Sequence, residues 1–365
     1  MLDIQQLPNF LSFNEIPKDY FKNIKSLLIV HSHFAKKNDL LEKLNLLLEN
    51  KSISYFNTSD LEYSSEIIEY ESKIFQSRYE LVISIGGGSS IDIAKIIYAR
   101  LIFSNWQKDI KKNLIQLNIA KTKLMVISTL PGSGAEVSKT AVLNSKSDKF
   151  FFTSSTFVPQ YVFYDIKSAI ALKKNILIIR LVDAIIHSLE SKNSILKNSF
   201  SDVCAEYVIN NSANLLKDIL KTKSNFFLVS DIKKLCIFSL YGGMAQSETG
   251  SGLCHALAHT LENKFNIPHA ESIFLCSMIL FQYKKKSTIN QKEVLIYKLI
   301  SQLYIQCFTK SRIKKHNAIL KELSIVSFIC EAKKDLCWKL EKKKIKEKNL
   351  INIFKDKVRA GKWNI

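Results

Sequence analysis

The hydrophobic positions in the first half of the chain form short continuous runs, separated by polar or glycine-containing segments. Runs of this kind are typical of buried parallel strands, and the apolar residues between them recur at helical spacing. The pattern predicts strands at 26–31, 52–56, 80–85, 123–129 and 161–164. It predicts helices at 40–48, at 67–75 and from near Ser90 onward.

Strands that alternate with helices predict an α/β fold of Rossmann type, with a parallel, doubly wound sheet that binds ligands at the carboxyl ends of its strands. Beyond about Asp165 the strand-like runs disappear, and the spacing of apolar residues is helical nearly to the end, interrupted only by Pro268. The sequence therefore predicts a nucleotide-binding α/β domain over residues 1–165 and an all-α domain over residues 166–365. We expect the two to pack closely with a cleft between them.

The composition is that of a soluble globular protein, with 365 residues, 47% of them hydrophobic and 24% charged. No apolar stretch reaches the roughly 18 to 20 residues that a membrane-spanning helix needs. The first residues show no basic segment followed by an apolar run, so we expect a cytoplasmic protein without a membrane partner. The seven cysteines include no Cys-x-x-Cys pair, which argues against a disulfide framework and a zinc ribbon.

The chain is strongly basic, since 53 Lys and Arg against 33 Asp and Glu give a net charge of +20. Such an excess can indicate a nucleic-acid partner. Here it consists mostly of lysine in scattered runs, and no recognised nucleic-acid module accompanies it. We therefore expect no nucleic-acid partner and a basic surface that favours an anionic small-molecule substrate.

A glycine-rich segment, Gly86-Gly87-Gly88-Ser89-Ser90, lies where a predicted strand meets a helix. Glycines let the backbone approach a phosphate closely, and the N–H groups at the helix start supply partial positive charge. A pyrophosphate is the natural occupant. The segment is neither Gly-x-Gly-x-x-Gly nor a P-loop, so a plain β–α turn is the alternative, with Ser90 or Asp92 as an ordinary helix cap or first-turn charge.

A second constellation in the helical half consists of Asp183-x-x-x-His187, His255-x-x-x-His259 and His269. A spacing of four places two residues on one face of a helix, and Pro268 puts His269 at or near a helix start. One carboxylate and two or three imidazoles suit a divalent ion such as Fe²⁺ or Zn²⁺. Each histidine alone is more simply explained as a hydrogen-bonded core residue, whereas the group indicates a metal site.

Together these motifs resemble the iron-containing alcohol dehydrogenase family. Residues 86–95 are similar to its Gly-Gly-Gly-Ser-x-x-Asp-x-Ala-Lys signature, and residues 183–190 and 252–269 resemble its two metal segments. The similarity extends from about Ser26 to Phe281. It implies a dehydroquinate synthase-like fold and an NAD(P)-linked oxidoreductase. The metal ligands that it implies are Asp183, His187, His255 and His269.

The resemblance also implies the nicotinamide site. Residues 129–138 are similar to a family segment that lines the cofactor, and His259 is implied to lie close to the nicotinamide as a catalytic candidate. Where the family usually has an acidic residue after the first strand, this chain has Ser32, with Lys36 and Lys37 nearby. NADP(H) and NAD(H) therefore both stay open. The candidate cofactor-binding residues are Ser32, Gly86, Gly87, Gly88, Ser89, Asp92, Lys95, Thr129, Leu130, Ser133, Ser138 and Lys149.

The implied reaction is hydride transfer between the nicotinamide and a small alcohol or aldehyde, with the metal as Lewis acid. The segment Pro268-His269-Ala270-Glu271 resembles the maleylacetate reductase branch, although that branch generally lacks the aspartate kept here as Asp183. With the basic charge, this favours an anionic aldehyde or keto acid. We expect a homodimer or a larger homo-oligomer.

Two other functions stay open. A cyclase related to dehydroquinate synthase shares the architecture, but its glycine turn usually reads Gly-Gly-Gly-x-x-Gly-Asp and its first metal ligand is a glutamate. A non-catalytic paralogue is supported by Leu130, where the family has threonine, and by Leu181, where it has glycine.

Overall fold

Five parallel strands form one sheet in the first half of the chain. The computed structural model describes residues 16, 18–37, 39–70, 72–103, 105–111, 122–146, 149–222, 224–287, 290–341 and 345–360. In chain order the five strands are β1 (Ser26–His31), β2 (Ser52–Asn57), β3 (Leu81–Gly86), β4 (Lys123–Ser128) and β7 (Tyr161–Tyr164). They lie in the order β2-β1-β3-β4-β7, and all six residues of the central β3 are buried. The predicted parallel sheet is confirmed.

Helices and a hairpin complete this half. The helices are α1 (His33–Lys37), α2 (Leu40–Leu47), α3 (Gly88–Ile102), α4 (Trp106–Lys111) and α5 (Ile166–Ile170). A separate antiparallel hairpin pairs β5 (Thr140–Asn144) with β6 (Lys149–Thr153). The sequence analysis did not predict this hairpin, because its short strands are partly exposed and lack the continuous apolar run of a buried strand.

The helix predicted over residues 67–75 is wrong. The structure has two short 3₁₀ helices there, Ser64–Ile68 and Lys73–Gln76. Nη1 of Arg100 donates to the carbonyl oxygens of Ile67 and Tyr70 at 2.7 and 2.9 Å, and the N–H of Ile74 turns to the hydroxyl of Ser72. Side chains thus replace the i to i−4 backbone bonds that would make this segment one helix.

The second half of the described chain is helical, as predicted, apart from an isolated bridge between Ser194 and Glu341. Several loops interrupt it besides the one at Pro268, including Gly250–Gly252 between two long helices. The helices are α6 (Lys174–Lys192), α7 (Ser199–Lys221), α8 (Val229–Thr249), α9 (Leu253–Phe265), α10 (His269–Ser287), α11 (Gln291–Cys307), α12 (Lys310–Glu322), α13 (Ile325–Ala332), α14 (Leu336–Leu340) and α15 (Glu347–Ala360).

The chain divides into two compact units, Met1–Ala171 and Leu172–Ile365, whereas the sequence analysis placed the boundary after residue 165. In the part of the chain that the structure describes, no helix is both long and apolar enough to cross a bilayer. All seven cysteines lie in described ranges, none of them is joined in a disulfide, and five are buried.

Candidate metal and nucleotide sites

The helix α6 carries the first two candidate metal ligands. Asp183 and His187 are one helical turn apart in a stretch that is buried from Leu181 to Ser191. Asp183 is fully buried and His187 is 4% exposed. Oδ1 of Asp183 lies 3.6 Å from Nε2 of His187, so the spacing of four brings both side chains to one point, as the sequence predicted.

Two further imidazoles reach the same point from α9 and α10. Nε2 of His255 lies 3.1 Å from Nε2 of His187 and 3.8 Å from Oδ1 of Asp183. His269 is the first residue of α10, directly after Pro268, and its ring centre lies 5.5 Å from that of His255. The ligand atoms that Asp183, His255 and His269 can offer lie within 4.8 Å of one another. The structure therefore brings together the four side chains proposed as one ligand set.

Unsatisfied polar atoms show that this cluster fits a cation. Among the described residues, both carboxylate oxygens of Asp183 are buried without a hydrogen-bond partner. A buried carboxylate without partners is unfavourable unless it is paired with a charge or coordinates a metal. Burial lowers the pKa of His187 to about 4, so this imidazole is neutral at pH 7, as metal coordination requires. The donor set, one carboxylate and three imidazoles, fits Fe²⁺ or Zn²⁺.

Two of these imidazoles are bonded to a carboxylate through Nδ1. Oε2 of Glu190 lies 2.5 Å from Nδ1 of His255, and Oε2 of Glu262 lies 3.2 Å from Nδ1 of His269. Burial alone would lower the pKa of His255, but the charge and hydrogen bond of Glu190 outweigh it and the pKa is raised. With Nδ1 held by a carboxylate, each ring presents Nε2 to the centre of the cluster.

The catalytic candidate His259 lies beside the same cluster. Its ring stacks on that of His269 with centres 5.4 Å apart and meets the ring of His255 edge-on at 6.0 Å. Nδ1 of His259 lies 2.8 Å from Oδ2 of Asp335. Asp335, Cys337 and His259 form a second group whose ligand atoms lie within 4.8 Å of one another.

In the other unit, the glycine turn lies at the carboxyl ends of three neighbouring strands. Gly86 ends β3, and Gly87 caps α3. A Cβ built on Gly86 would lie 2.7 Å from the side chain of Ser90 and 3.4 Å from Oγ of Ser32, and one built on Gly88 would lie 2.9 Å from Oγ of Ser133. Only glycine fits this close approach of backbone to side chains.

Five more candidate cofactor residues adjoin this turn or its helix. Leu130 packs 3.4 Å from the Cβ position of Gly87, and the N–H of Thr129 donates to the carbonyl of Gly86 at 3.0 Å. Ser32, Leu130 and Ser133 thus converge on the glycines. Ser89 lies in the first turn of α3.

The remaining cofactor candidates are Asp92, Lys95, Ser138 and Lys149. Nζ of the fully buried Lys95 donates to the carbonyls of Ser138 and Thr140 and to the hydroxyl of Ser138, so Lys95 ties α3 to the start of β5. Asp92 pairs with Lys95 at 3.7 Å, and burial raises the pKa of Asp92 to about 6. Lys149 begins β6, opposite Asn144 across the hairpin. A structural role thus accounts for the contacts of Asp92, Lys95 and Ser138.

Two models of one protein family match nearly the whole chain. The model for iron-containing alcohol dehydrogenase matches residues 12–166, and the model for the C-terminal part of the same family matches residues 178–357. The chain belongs to the iron-containing alcohol dehydrogenase family. The resemblance inferred from the motifs is confirmed.

Curated relatives from this family are distant. The 4-hydroxybutyrate dehydrogenase of Clostridium kluyveri is 27% identical over 232 residues, which cover 60% of this chain and 58% of that protein. The 1-propanol dehydrogenase of Salmonella typhimurium is 30% identical over 207 residues, covering 55% and 51%. The chain thus spans about half the length of the curated relatives it matches.

Solved structures of the iron-containing alcohol dehydrogenase fold cover the chain almost completely. A 1,3-propanediol oxidoreductase has a TM-score of 0.77 at 17% identity and covers 96% of this chain and 98% of its own. The sulfoacetaldehyde reductase of Bifidobacterium kashiwanohense, solved in complex with NAD⁺, has a TM-score of 0.76 at 17% identity, covering 97% and 99%. At such identities the likeness shows the fold, and the expected fold is confirmed.

The motifs in the sequence assigned no role to three carboxylates that lie at this site. Glu190 and Glu262 lie near the predicted ligands in sequence, and Glu190 follows His187 by three residues, which places it on the inner side of α6. That spacing is a signal that could have identified it. Asp335 lies 76 residues from His259, and no local pattern connects them.

Proposed function

We propose that this chain catalyses hydride transfer between a nicotinamide and a small alcohol or aldehyde at a divalent metal ion. The observation that carries the proposal is the pair of buried Asp183 oxygens that lack a hydrogen-bond partner among the described residues, while three imidazoles converge on them. A bound cation satisfies all of these groups together.

Each residue of the cluster has a proposed task. When bound, the ion supplies Lewis-acid polarisation of the substrate oxygen. Asp183, His187, His255 and His269 hold the ion, and Glu190 and Glu262 orient two of the imidazoles. A bound nicotinamide would supply the hydride for the carbonyl carbon, and one proton for the oxygen would complete the alcohol product. His259 is the proposed donor of that proton, directly or through water.

The nicotinamide is proposed to bind at the glycine turn. The strand-to-helix junction at Gly86–Gly88 lies at the carboxyl edge of the parallel sheet, where such folds bind nucleotides. The residue after β1 is Ser32, so no carboxylate there repels a 2′-phosphate, and the exposed Lys36 lies in the following α1. We propose that NADPH is accepted as well as NADH.

The substrate is proposed to be an anionic aldehyde or keto acid. The net charge of +20 favours an anion. The chain is also similar to a 4-hydroxybutyrate dehydrogenase and to a sulfoacetaldehyde reductase, whose names describe acidic compounds. A panel of short aldehydes, each neutral member matched by a carboxylate or sulfonate of equal length, tests this class. A higher kcat/KM for the charged member, reduced by added salt, is the expected result.

The decisive assay follows the absorbance of NADH and NADPH with Fe²⁺- or Zn²⁺-loaded chain and this panel. Consumption of the cofactor that requires the aldehyde and disappears in Asp183→Ala is expected. No consumption with either cofactor, metal or aldehyde contradicts the proposal. Conversion of a sugar-acid phosphate without net change in the nicotinamide would indicate a cyclase instead.

A homo-oligomer stays a prediction. Light scattering of the purified chain measures its mass in solution and so its oligomeric state.

A further inference from the structure

We infer that Asp335 is a positioning residue that fixes the ring orientation and the protonated nitrogen of His259. The inference rests on the proposed function, in which His259 delivers a proton. Asp335 lies beyond Phe281, where the resemblance read from the motifs ends.

Asp335 uses its two oxygens for two separate tasks. Oδ1 accepts the backbone N–H of Cys337 at 2.8 Å and so caps the start of α14. Oδ2 faces Nδ1 of His259 at 2.8 Å. Helix capping needs only one oxygen. The second oxygen therefore serves the imidazole.

Glu190 repeats this arrangement at the neighbouring histidine. Its Oε1 accepts the N–H of Cys254 at 2.6 Å at the start of α9, and its Oε2 holds Nδ1 of His255 at 2.5 Å. In both cases a carboxylate anchored to a helix start holds the Nδ1 of an imidazole. The repetition indicates a common purpose, which is to set the direction and tautomer of each ring.

The tautomer of His259 decides which of its two ring nitrogens can move a proton. An Nδ1 proton donated to the carboxylate leaves Nε2 to carry the second proton of the imidazolium, which it gives up in the reduction and takes back in the oxidation. Although burial raises the pKa of Asp335, the hydrogen bond and charge of His259 together with the hydrogen bonds from Cys337 outweigh it and lower the pKa to about 2. Asp335 is thus an anion at neutral pH, and it holds the ring stacked on His269 in one orientation.

A second metal site is the competing explanation, since Cys337 lies within reach of both residues. Both oxygens of Asp335 already accept hydrogen bonds, from His259 and from the backbone of Cys337. Metal binding would have to break at least one of them. The geometry therefore favours the hydrogen-bonded pair.

The test compares Asp335→Asn, His259→Ala and the double variant in the metal-loaded chain. The asparagine keeps an oxygen for the helix cap but can turn an amide donor toward Nδ1. We expect kcat to fall about 10-fold to 100-fold while KM for the aldehyde and the metal content stay unchanged. In the His259→Ala background, Asp335→Asn should have no further effect, because its effect acts through the imidazole. Equal losses in both backgrounds overturn the inference.

A matched control separates this role from helix capping. Asn290 caps α11 by accepting the N–H of the residue two positions on, as Asp335 does for α14. Asn290→Ala removes a cap of the same type without an imidazole partner, and kcat should not change. A loss of kcat equal to that of Asp335→Asn would reduce Asp335 to a structural cap.

A second readout does not depend on activity. In zinc-loaded chain with ¹⁵N-labelled histidine, the ring signals of His259, assigned by their loss in His259→Ala, should report a proton on Nδ1. Asp335→Asn should move it to Nε2. An unchanged tautomer overturns the inference, as would two zinc ions per wild-type chain that fall to one in Asp335→Asn. If no aldehyde is reduced, the proposed function fails while this measurement still decides the role of Asp335.

Discussion

Glu190 holds His255 in place with one oxygen, 2.5 Å from Nδ1, while its other oxygen accepts the backbone N–H groups of Cys254 and His255. The carboxylate thereby joins α6 to the start of α9 and aims Nε2 of His255 at Asp183. Gly252, the residue before α9, leaves room for it, because a Cβ there would lie 3.1 Å from the Glu190 side chain.

The first prediction concerns Glu190→Gln. The amide keeps the size of the side chain but removes the charge that holds His255, so affinity for Zn²⁺ should fall about 10-fold to 100-fold. Competition with a chromophoric chelator measures this. Glu206→Gln is the matched control, because Glu206 forms an ion pair with Lys192 at the surface, and the zinc affinity of this variant should equal that of the wild type. Equal affinities of all three proteins would contradict the role of Glu190.

The second prediction is a reversal of stability at Asp183. Without metal, the wild-type chain holds a buried carboxylate that lacks a hydrogen bond among the described residues, and Asp183→Asn removes that charge. The metal-free variant should therefore unfold at the same temperature as the metal-free wild type or at a higher one. With Zn²⁺ the order should reverse, because only the wild type gains stability from the ion.

Thermal unfolding with chelator and with Zn²⁺ measures which of the two proteins is more stable in each condition. If Asp183→Asn is the less stable protein by the same margin in both conditions, the carboxylate serves the fold and not an ion.

The third prediction concerns the contact that places α6. A Cβ built on Gly242 of α8 would lie 2.6 Å from the carbonyl oxygen of Ala184, the residue after Asp183. Gly242→Ala must separate the two helices, so the free energy of unfolding should fall by about 1–3 kcal/mol and zinc affinity should fall with it. Lys233→Ala, exposed on the same helix, should change neither quantity. Denaturant unfolding and zinc titration of both variants give the comparison.

The fourth prediction concerns pH. Glu271 accepts hydrogen bonds from Nε and Nη2 of Arg312 at 2.6 and 2.9 Å and is also bonded to the buried His316. Burial raises the pKa of Glu271, but the bonds from His316 and Arg312 outweigh it, so the folded-state pKa lies below 4.5. The stabilisation is therefore complete above pH 4.5 and is lost as the pH falls through the folded-state value.

Glu271→Gln isolates this contribution. The wild type should exceed the variant in free energy of unfolding at pH 7, and the difference should narrow as the pH drops below 4.5. Urea unfolding of both proteins with chelator present measures the difference at each pH. A difference that does not change with pH, or that grows as the pH falls, would contradict the account.

The sequence predicted what depends on local pattern. The strand β3 was found because complete burial makes it continuously apolar, and the spacing of four in α6 placed Asp183 beside His187. The 3₁₀ segments at 64–76 were missed because Arg100, distant in sequence, takes their carbonyl oxygens.

Long-range contacts also limited what the sequence could show of the site. The buried amine of Lys95 meets three acceptors in Ser138 and Thr140, which no local spacing indicated, and the role of Lys95 in cofactor binding stays a prediction. Asp335 had no motif at all, since only the folded chain brings it to His259. Partners of this kind depend on tertiary packing, which no local spacing encodes.

Anomalous diffraction from a crystal of the chain grown with Zn²⁺ tests whether one ion binds at Asp183 and the three histidines. We expect one strong peak about 2.0–2.2 Å from an oxygen of Asp183 and from the imidazole nitrogens of His187, His255 and His269. A metal-loaded crystal with no peak among these four side chains, or with its peak between His259, Asp335 and Cys337, would contradict it.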